Sequence, residues 1–201
     1  MSATKPRRLT RAESQQRTRG LIVDAATRLF LRHGFRVTSL EQIAEEAGFT
    51  RGAVYSNFDG KTAMGIAVID ELYAREERKL EATLRGLRGA GADAIFDALS
   101  AWADETIGDP AWTRLEIEIA ASSAHDAAHL AATAARYARL REHCEELVAE
   151  LFPEELTVAI PTVATAIVGL ALGIGAQRAA DPGIPGSTLT DILRALVAVR
   201  S

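Results

Sequence analysis

The sequence predicts an all-α protein, and three observations carry that prediction. Apolar residues recur at three- and four-residue spacing along the chain, and no segment alternates apolar and polar for long. No proline falls between Pro6 and Pro110, so long helices meet no breaker there. Glycines and helix-capping residues punctuate the periodic stretches where helices should stop and start. The 201 residues are 48% hydrophobic and 25% charged, enough apolar material for a sizeable core and too much for a disordered chain.

The elements follow in order, about nine helices in all. Thr10 and Glu13 have capping-box spacing and open the first helix, whose inward face is Ile22, Ala25, Ala26, Leu29 and Phe30. Gly34 ends it. Thr38 with Glu41 suggests a second capping box, opening a short helix with Leu40, Ile43, Ala44 and Ala47 inward. Gly48 stops that helix, and Thr50 caps a third, containing Val54, Tyr55 and Phe58. Asp59-Gly60 is a turn. A long helix then runs from about Lys61 to about Leu87, with Met64, Ala67, Val68, Leu72 and Leu80 as its core positions. Gly86, Gly89 and Gly91 break the chain, and five further helices are expected near 93–107, 110–123, 126–151, 157–179 and 187–199. Asp109-Pro110 is a start signal, Asp as N-cap and Pro at the first helical position. Two domains are expected: a head over 10–60, preceded by a flexible basic arm over 1–9, and a helical body over 61–201.

The net charge of −4 conceals an asymmetry. Residues 1–61 carry eleven Lys and Arg against six Asp and Glu; residues 62–201 carry twelve against twenty-one. A basic head on an acidic body suits an anion-binding, nucleic-acid-facing end. The single cysteine, Cys144, excludes an intramolecular disulfide and a multi-cysteine zinc site. His125 and His129 sit four apart on one helix, but no third ligand stands near, so no metal is expected. No Gly-rich phosphate loop, GxSxG or zinc-protease helix occurs, so neither an enzyme nor a cofactor is expected. The N-terminus is polar and basic without a secretory signal. The longest apolar run, 158–177, contains Pro161 and three glycines and reads as a buried helix rather than a membrane span. A soluble cytoplasmic protein is expected.

Residues 38–58 place two short helices around Gly48-Phe49, which is helix-turn-helix spacing. The glycine lets the chain reverse, and Ile43, Ala44 and Val54 pack the pair at a steep angle. The second helix is then free to enter a major groove, which admits one helix. Its outward residues are Arg51, Gly52, Ala53, Tyr55, Ser56 and Asn57. Gly52 and Ala53 permit close approach to bases, and Arg51 can donate two bonds to a guanine edge. Tyr55 and Lys61 suit phosphate. Thr38 and Thr50 stand at helix N-termini, where backbone N–H groups attract phosphate. The basic residues Lys5, Arg7, Arg8 and Arg11 suit either a DNA-contacting arm or a solubilising tail.

These residues carry a resemblance. The series Ile22, Ala25-Ala26, Leu29-Phe30, Gly34-Phe35, Thr38, Ile43-Ala44, Ala47-Gly48-Phe49-Thr50-Arg51-Gly52, Tyr55, Phe58, Lys61 is similar to the DNA-binding domain of TetR-type regulators, including the AcrR group, over about residues 15–65. Phe49 stands where a smaller β-branched residue is usual, and Thr62-Ala63-Met64 where acidic residues and leucine are common. The resemblance implies a homodimer, with one recognition helix for each half of a palindromic operator on double-stranded DNA. It also implies a body that binds a small-molecule effector and releases the operator. A DNA-binding regulator or architectural protein without a ligand is the alternative.

Body residues can be assigned on periodicity. Phe96, Leu99, Trp102, Trp112 and Leu115 lie on adjacent helices and are candidates to line a largely apolar effector pocket, with Glu116, Glu118, Asp104 and Glu105 as acids for a cationic ligand. Val163, Ile167, Leu170 and Ile174, with Leu189, Ile192, Leu193 and Leu196, form stripes on the last two helices that a four-helix dimer bundle would bury.

Overall fold

In the computed structural model, residues 10–152, 156 and 158–198 are described, and among them every regular element is a helix. The order is α1 (Arg11–His33), α2 (Leu40–Ala47), α3 (Arg51–Asn57), α4 (Gly60–Gly86), α5 (Ala92–Thr106), α6 (Pro110–Ser122), α7 (Ala127–Leu151), α8 (Ile160–Ala180) and α9 (Thr188–Ala198). Two compact units result, Met1–Val68 and Ile69–Ser201. The division falls inside α4, beyond the Asp59-Gly60 turn at which the sequence places it. The N-terminal arm, with Lys5, Arg7 and Arg8, lies outside the described residues, as does Val199 at the chain end.

The head is built by its caps and a small core. Thr10 and Glu13 form the expected reciprocal capping box of α1. Ile22, Ala25, Ala26 and Phe30 of α1 are fully buried against Ile43 of α2 and Val54 of α3. Phe30 meets Phe35 edge to face, with ring centroids 5.2 Å apart. Gly48 holds the left-handed conformation (φ 71°) that turns α2 into α3, and its N–H bonds back to the end of α2. One cap differs from the sequence reading. Ser39, not Thr38, caps α2: the Ser39 hydroxyl accepts from the Gln42 N–H, and the Gln42 side chain accepts from the Ser39 N–H. Thr38 is instead 3% exposed, and its hydroxyl donates to the Gly34 carbonyl at the end of α1. The helix therefore starts one residue later, and Glu41 is released from capping.

The body centres on α8, which packs against α6, α7 and α9. Ala103 and Ile107 of α5, Ile174 of α8 and Leu189 of α9 form a buried cluster, with Trp102, Ile167, Leu170 and Leu193 packed against it. Phe96 of α5 stacks on Phe152 after α7, with centroids 5.2 Å apart. Gly108 allows the α5–α6 turn to touch α8. Its φ is 80°, and a Cβ there would lie 2.6 Å from Cβ of Arg178 and 3.2 Å from Cα of Gly175. Asp109 caps α6 as expected, accepting from the Trp112 N–H at 2.8 Å.

α8 departs from the expectation of a buried helix. It is long and apolar enough to cross a membrane by length and composition. Yet Val163, Ala164, Ile174 and Gly175 are buried in its own body while Ala166, Gly169, Gly173 and Ala176 are exposed. The single chain covers one face and leaves a smooth apolar face open. This also corrects the interface stripe. Val163, Ile174 and Leu189 are core of their own chain; Ile167, Leu170 and Leu193 are half-buried against that core; Ile192 is exposed, and Leu196 is half-buried. Large apolar side chains gain most from burial and turn inward.

Candidate nucleic-acid interface and body cavity

α3 has seven residues, too few to be stable alone, so its neighbours hold it. Val54 and the capping Phe58 point into the head and are buried. The guanidinium of Arg19 lies 4.1 Å from the Phe58 ring centroid and donates to the Asn57 carbonyl, fastening the helix end to α1. Thr50 accepts from the Ala53 N–H at 3.2 Å, so its hydroxyl is committed to the cap. Arg51, Gly52, Tyr55 and Ser56 are exposed, Tyr55 by 52%, while Ala53 is half-buried. Asn57 turns back on its own helix, its amide donating to the Ala53 carbonyl at 2.8 Å. Thus the structure brings Arg51, Gly52, Tyr55 and Ser56 to one open face and directs Thr38 and Asn57 inward.

Two features of this face were not read from the sequence. Glu41 of α2 forms an ion pair with Arg51 and a hydrogen bond with Tyr55. A backbone hydrogen bond first, then Arg51, Ser39 and Tyr55, hold its carboxyl below the ordinary value. The second feature is Lys61, whose ammonium donates to the Arg36 carbonyl at 3.0 Å and sits 4.8 Å from the Phe35 ring centroid. That contact straps the start of α4 to the turn after α1.

Within the C-terminal unit lies a half-open cavity of about 420 Å³. Leu99, Trp102 and Trp112 line it; Phe96 and Leu115 do not. Phe96 is 2% exposed in its stack on Phe152, and Leu115 is fully buried. The reason is helical rotation. Steps of three residues drift by about 60° each, so Phe96 points well away from Trp102, whereas four-residue steps drift by about 40° the other way. Trp112, Glu116 and Ala120 accordingly share the lining. Tyr73 of α4 and Tyr137 and Cys144 of α7 also line it, and no local sequence signal marks them. Tyr73 and Trp112 meet edge to face at 5.0 Å. Of the acids considered from sequence, Glu116 lines the cavity; Asp104, Glu105 and Glu118 do not.

Burial pushes the Glu116 carboxyl above its ordinary value, while Tyr73, Arg136 and Trp112 pull it back. Burial first, then the charge of the Glu116 carboxylate and its hydrogen bond with the Tyr73 hydroxyl, raise the Tyr73 pKa in turn. Burial, then Glu77 and Glu145, push the Cys144 thiol up to about 11, so it is no reactive thiolate. Among the described residues no group of three His, Cys, Asp or Glu side chains could hold a metal. His129 is buried, its N–H bonded to Asp126, and His125 is exposed.

A raised carboxyl pKa has a defined consequence for stability. As pH rises above the ordinary value of 4.5, the unfolded chain releases this proton while the folded chain retains it, so folding weakens through that window. Glu116→Gln removes the effect. Thermal melts should show the variant more stable than wild type at neutral pH and matching it at about pH 4. A gain that persists unchanged in acid would contradict the assignment.

Comparison with known proteins supplies the deciding observation. Residues 22–68, which span α2, α3 and most of the α1 core face, match the model described as bacterial regulatory proteins, tetR family. The head resembles the DNA-binding domain of that family. Its sequence is 40% identical over 76 residues to the HTH-type transcriptional regulator TtgR of Pseudomonas putida, covering 38% of this chain and 36% of that protein. It is 49% identical over 55 residues to the HTH-type transcriptional regulator AcrR of Shigella flexneri, covering 27% and 25%. The match to TtgR thus spans about a third of that relative's own length. Solved structures extend the likeness over nearly the whole chain. The multidrug binding protein EbrR complexed with imidazole superimposes with a TM-score of 0.65 at 19% identity, covering 94% of this chain and 97% of that one. The SmeT–triclosan complex gives 0.61 at 23% identity, covering 90% and 91%. At those identities the likeness shows the fold: a TetR-type head followed by a helical body.

Proposed function

We propose that the protein is a dimeric transcriptional repressor of the TetR type, acting in the cytoplasm, that leaves a palindromic operator when a small molecule enters its body. The observation that carries this reading is the open face of α3: Arg51, Gly52, Tyr55 and Ser56 are presented outward by a helix anchored through Val54 and Phe58. Arg51 reads a guanine edge, exchanging Glu41 for the base, and Gly52 and Ala53 let the backbone come close. Tyr55 and Ser56 reach the groove wall. The N–H groups at the starts of α2 and α3, beside Thr38 and Thr50, face phosphate, and Lys61 and Asn57 hold the turn and the helix end in register.

The effector reading rests on the cavity, whose volume of about 420 Å³ falls within the usual range for small-molecule sites. Proteins of the same fold hold imidazole and triclosan in their solved structures. Leu99, Trp102 and Trp112 form part of the wall. An effector releases DNA only if it binds the DNA-incompetent arrangement better, since equal affinity for both shifts nothing. The dimer reading rests on the uncovered face of α8, to which the exposed Ile192 and half-buried Leu196 of α9 add.

Selection of an operator from random duplexes with the purified protein tests the reading. Arg51→Ala should weaken binding to the selected operator by about 1–3 kcal/mol and relax preference at one base position. Binding as tight as wild type would remove Arg51 from the reading face. Failure to select any palindrome would refute the regulator reading itself.

A further inference from the structure

Several hydrogen-bond donors on the cavity wall are already used. The Thr106 hydroxyl donates to Glu76, that of Thr190 to the Ser187 carbonyl, and that of Tyr73 bonds with Glu116. The indole of Trp102, which also lines the cavity, differs: its Nε1 is buried and has no hydrogen-bond partner. Nε1 of Trp112 is buried as well, and it faces Glu116 without the geometry of a full hydrogen bond. An indole N–H donates and never accepts, so what it lacks is an acceptor. Leaving such a donor unpaired away from water costs free energy. A ligand that brings an acceptor relieves a cost already present in the fold, and one without an acceptor leaves it in place.

Resting on the reading of the cavity as an effector site, we propose that it takes a neutral aromatic ligand with a carbonyl-type oxygen, the oxygen accepting from the Trp102 indole N–H and the rings lying against Trp112 and Tyr137. The physical case separates four ligand types. A hydrocarbon fills the same space but gives the indole nothing. An anion brings an acceptor, but three carboxylates, Glu76, Glu77 and Glu116, line the wall, and among the described residues neither Lys nor Arg does. Their field is already felt there: after burial, Glu77 pushes the Cys144 thiol up and Glu116 the Tyr137 hydroxyl. A cation brings donors or bare positive charge, and neither can satisfy an N–H. A neutral carbonyl meets the donor without adding like charge, and the bond is strengthened because the donor is shut off from water.

Equilibrium dialysis of the full-length chain against four probes built on one diphenylmethyl framework tests this: benzophenone, diphenylmethane, diphenylacetate and diphenylmethylammonium. Diphenylmethane leaves water more readily than the ketone, so a cavity with no unpaired donor binds it more tightly. Benzophenone should instead bind about fivefold tighter than diphenylmethane or the ammonium, and the acetate should not bind measurably. Trp102→Phe keeps an aromatic ring and removes the N–H. It should weaken benzophenone about tenfold and leave diphenylmethane unchanged, the hydrocarbon serving as a check that the variant's cavity is intact. In the wild type, the Trp102 indole N–H proton resonance should move downfield with benzophenone and not with diphenylmethane, a readout independent of whether the variant folds. The proposal is overturned if diphenylmethane or the ammonium binds wild type as tightly as benzophenone, if Trp102→Phe leaves the ketone's advantage intact, or if the indole resonance does not respond. Operator release by diphenylmethane or the ammonium in that case would leave the effector reading standing. If no probe binds and none releases operator DNA, the proposal falls together with the cavity as an effector site.

Discussion

Gly173→Asp should turn the protein into a monomer and lower its affinity for a palindromic operator by about a hundredfold or more. The argument starts from what a single chain leaves uncovered. α8 is apolar nearly throughout, yet Ala166, Gly169, Gly173 and Ala176 face outward. A Cβ added at Gly173 meets nothing within 4 Å, so the single chain has room for aspartate there. Replacing a mid-helix glycine does not reduce helix propensity either. Any effect on assembly must therefore arise from a second copy. There an unpaired carboxylate would be buried between helices at a cost of several kcal/mol. Small residues allow close helix approach, and two α8–α9 pairs make a four-helix seam of the kind that buries about 2,000 Å² or more. Losing the seam separates the two heads, and binding forfeits the effective concentration that joins two half-sites. Sedimentation velocity at micromolar concentration and mobility shifts on full and half operators read both effects. A Gly173→Asp protein that sediments with wild type would place the interface elsewhere.

Phe30→Ala should unfold the head and leave the body folded. Phe30 is fully buried, in contact with Phe35. Truncating such a side chain costs about 3–5 kcal/mol, and total stabilities of domains are only about 5–15 kcal/mol. The head is small, and Phe30 is the largest of its fully buried side chains, the other large ones being Ile22, Ile43, Val54, Met64 and Val68. Amide hydrogen exchange should show α1 to α3 losing protection while α5 to α8 keep theirs, and operator binding should vanish. Protection of α2 and α3 at wild-type levels would mean that Phe30 does not hold the head together.

The helix plan was legible because its punctuation is chemical. Thr10 with Glu13, Gly48 and Asp109-Pro110 each satisfy or free backbone groups in a way that few other residues do. The slip at α2 shows where that logic is ambiguous. Thr38 has Glu41 three residues on and Ser39 has Gln42, so both can form a box. Burial of Thr38 beneath the end of α1 decides between them, and that is a tertiary fact. The cavity was half legible. Trp102 and Trp112 stand out by size, but Tyr73 and Tyr137 arrive from helices remote in sequence, and Phe96 was misplaced by rotation about its own helix. On α8 the stripe read from the sequence, Val163, Ile167, Leu170 and Ile174, falls on the side packed into its own chain, because an all-apolar helix has no polar face to show which side is covered. The glutamate on the reading face was hidden for another reason: Glu41 looked like a cap residue and became a partner of Arg51 once Ser39 took the cap.

The anchoring of α3 has an evolutionary consequence. The helix owes its position to Val54, Phe58, the Thr50 cap and the Arg19 fastening, none of which points at the open face. Arg51, Gly52, Tyr55 and Ser56 contribute little to folding, and the Arg51–Glu41 pair is exposed to solvent, where such pairs add little. Substitution at those positions can thus rewrite the recognised sequence without weakening the scaffold. A duplicated copy of such a gene can drift to a new operator through a series of folded intermediates, each a working protein with a different address.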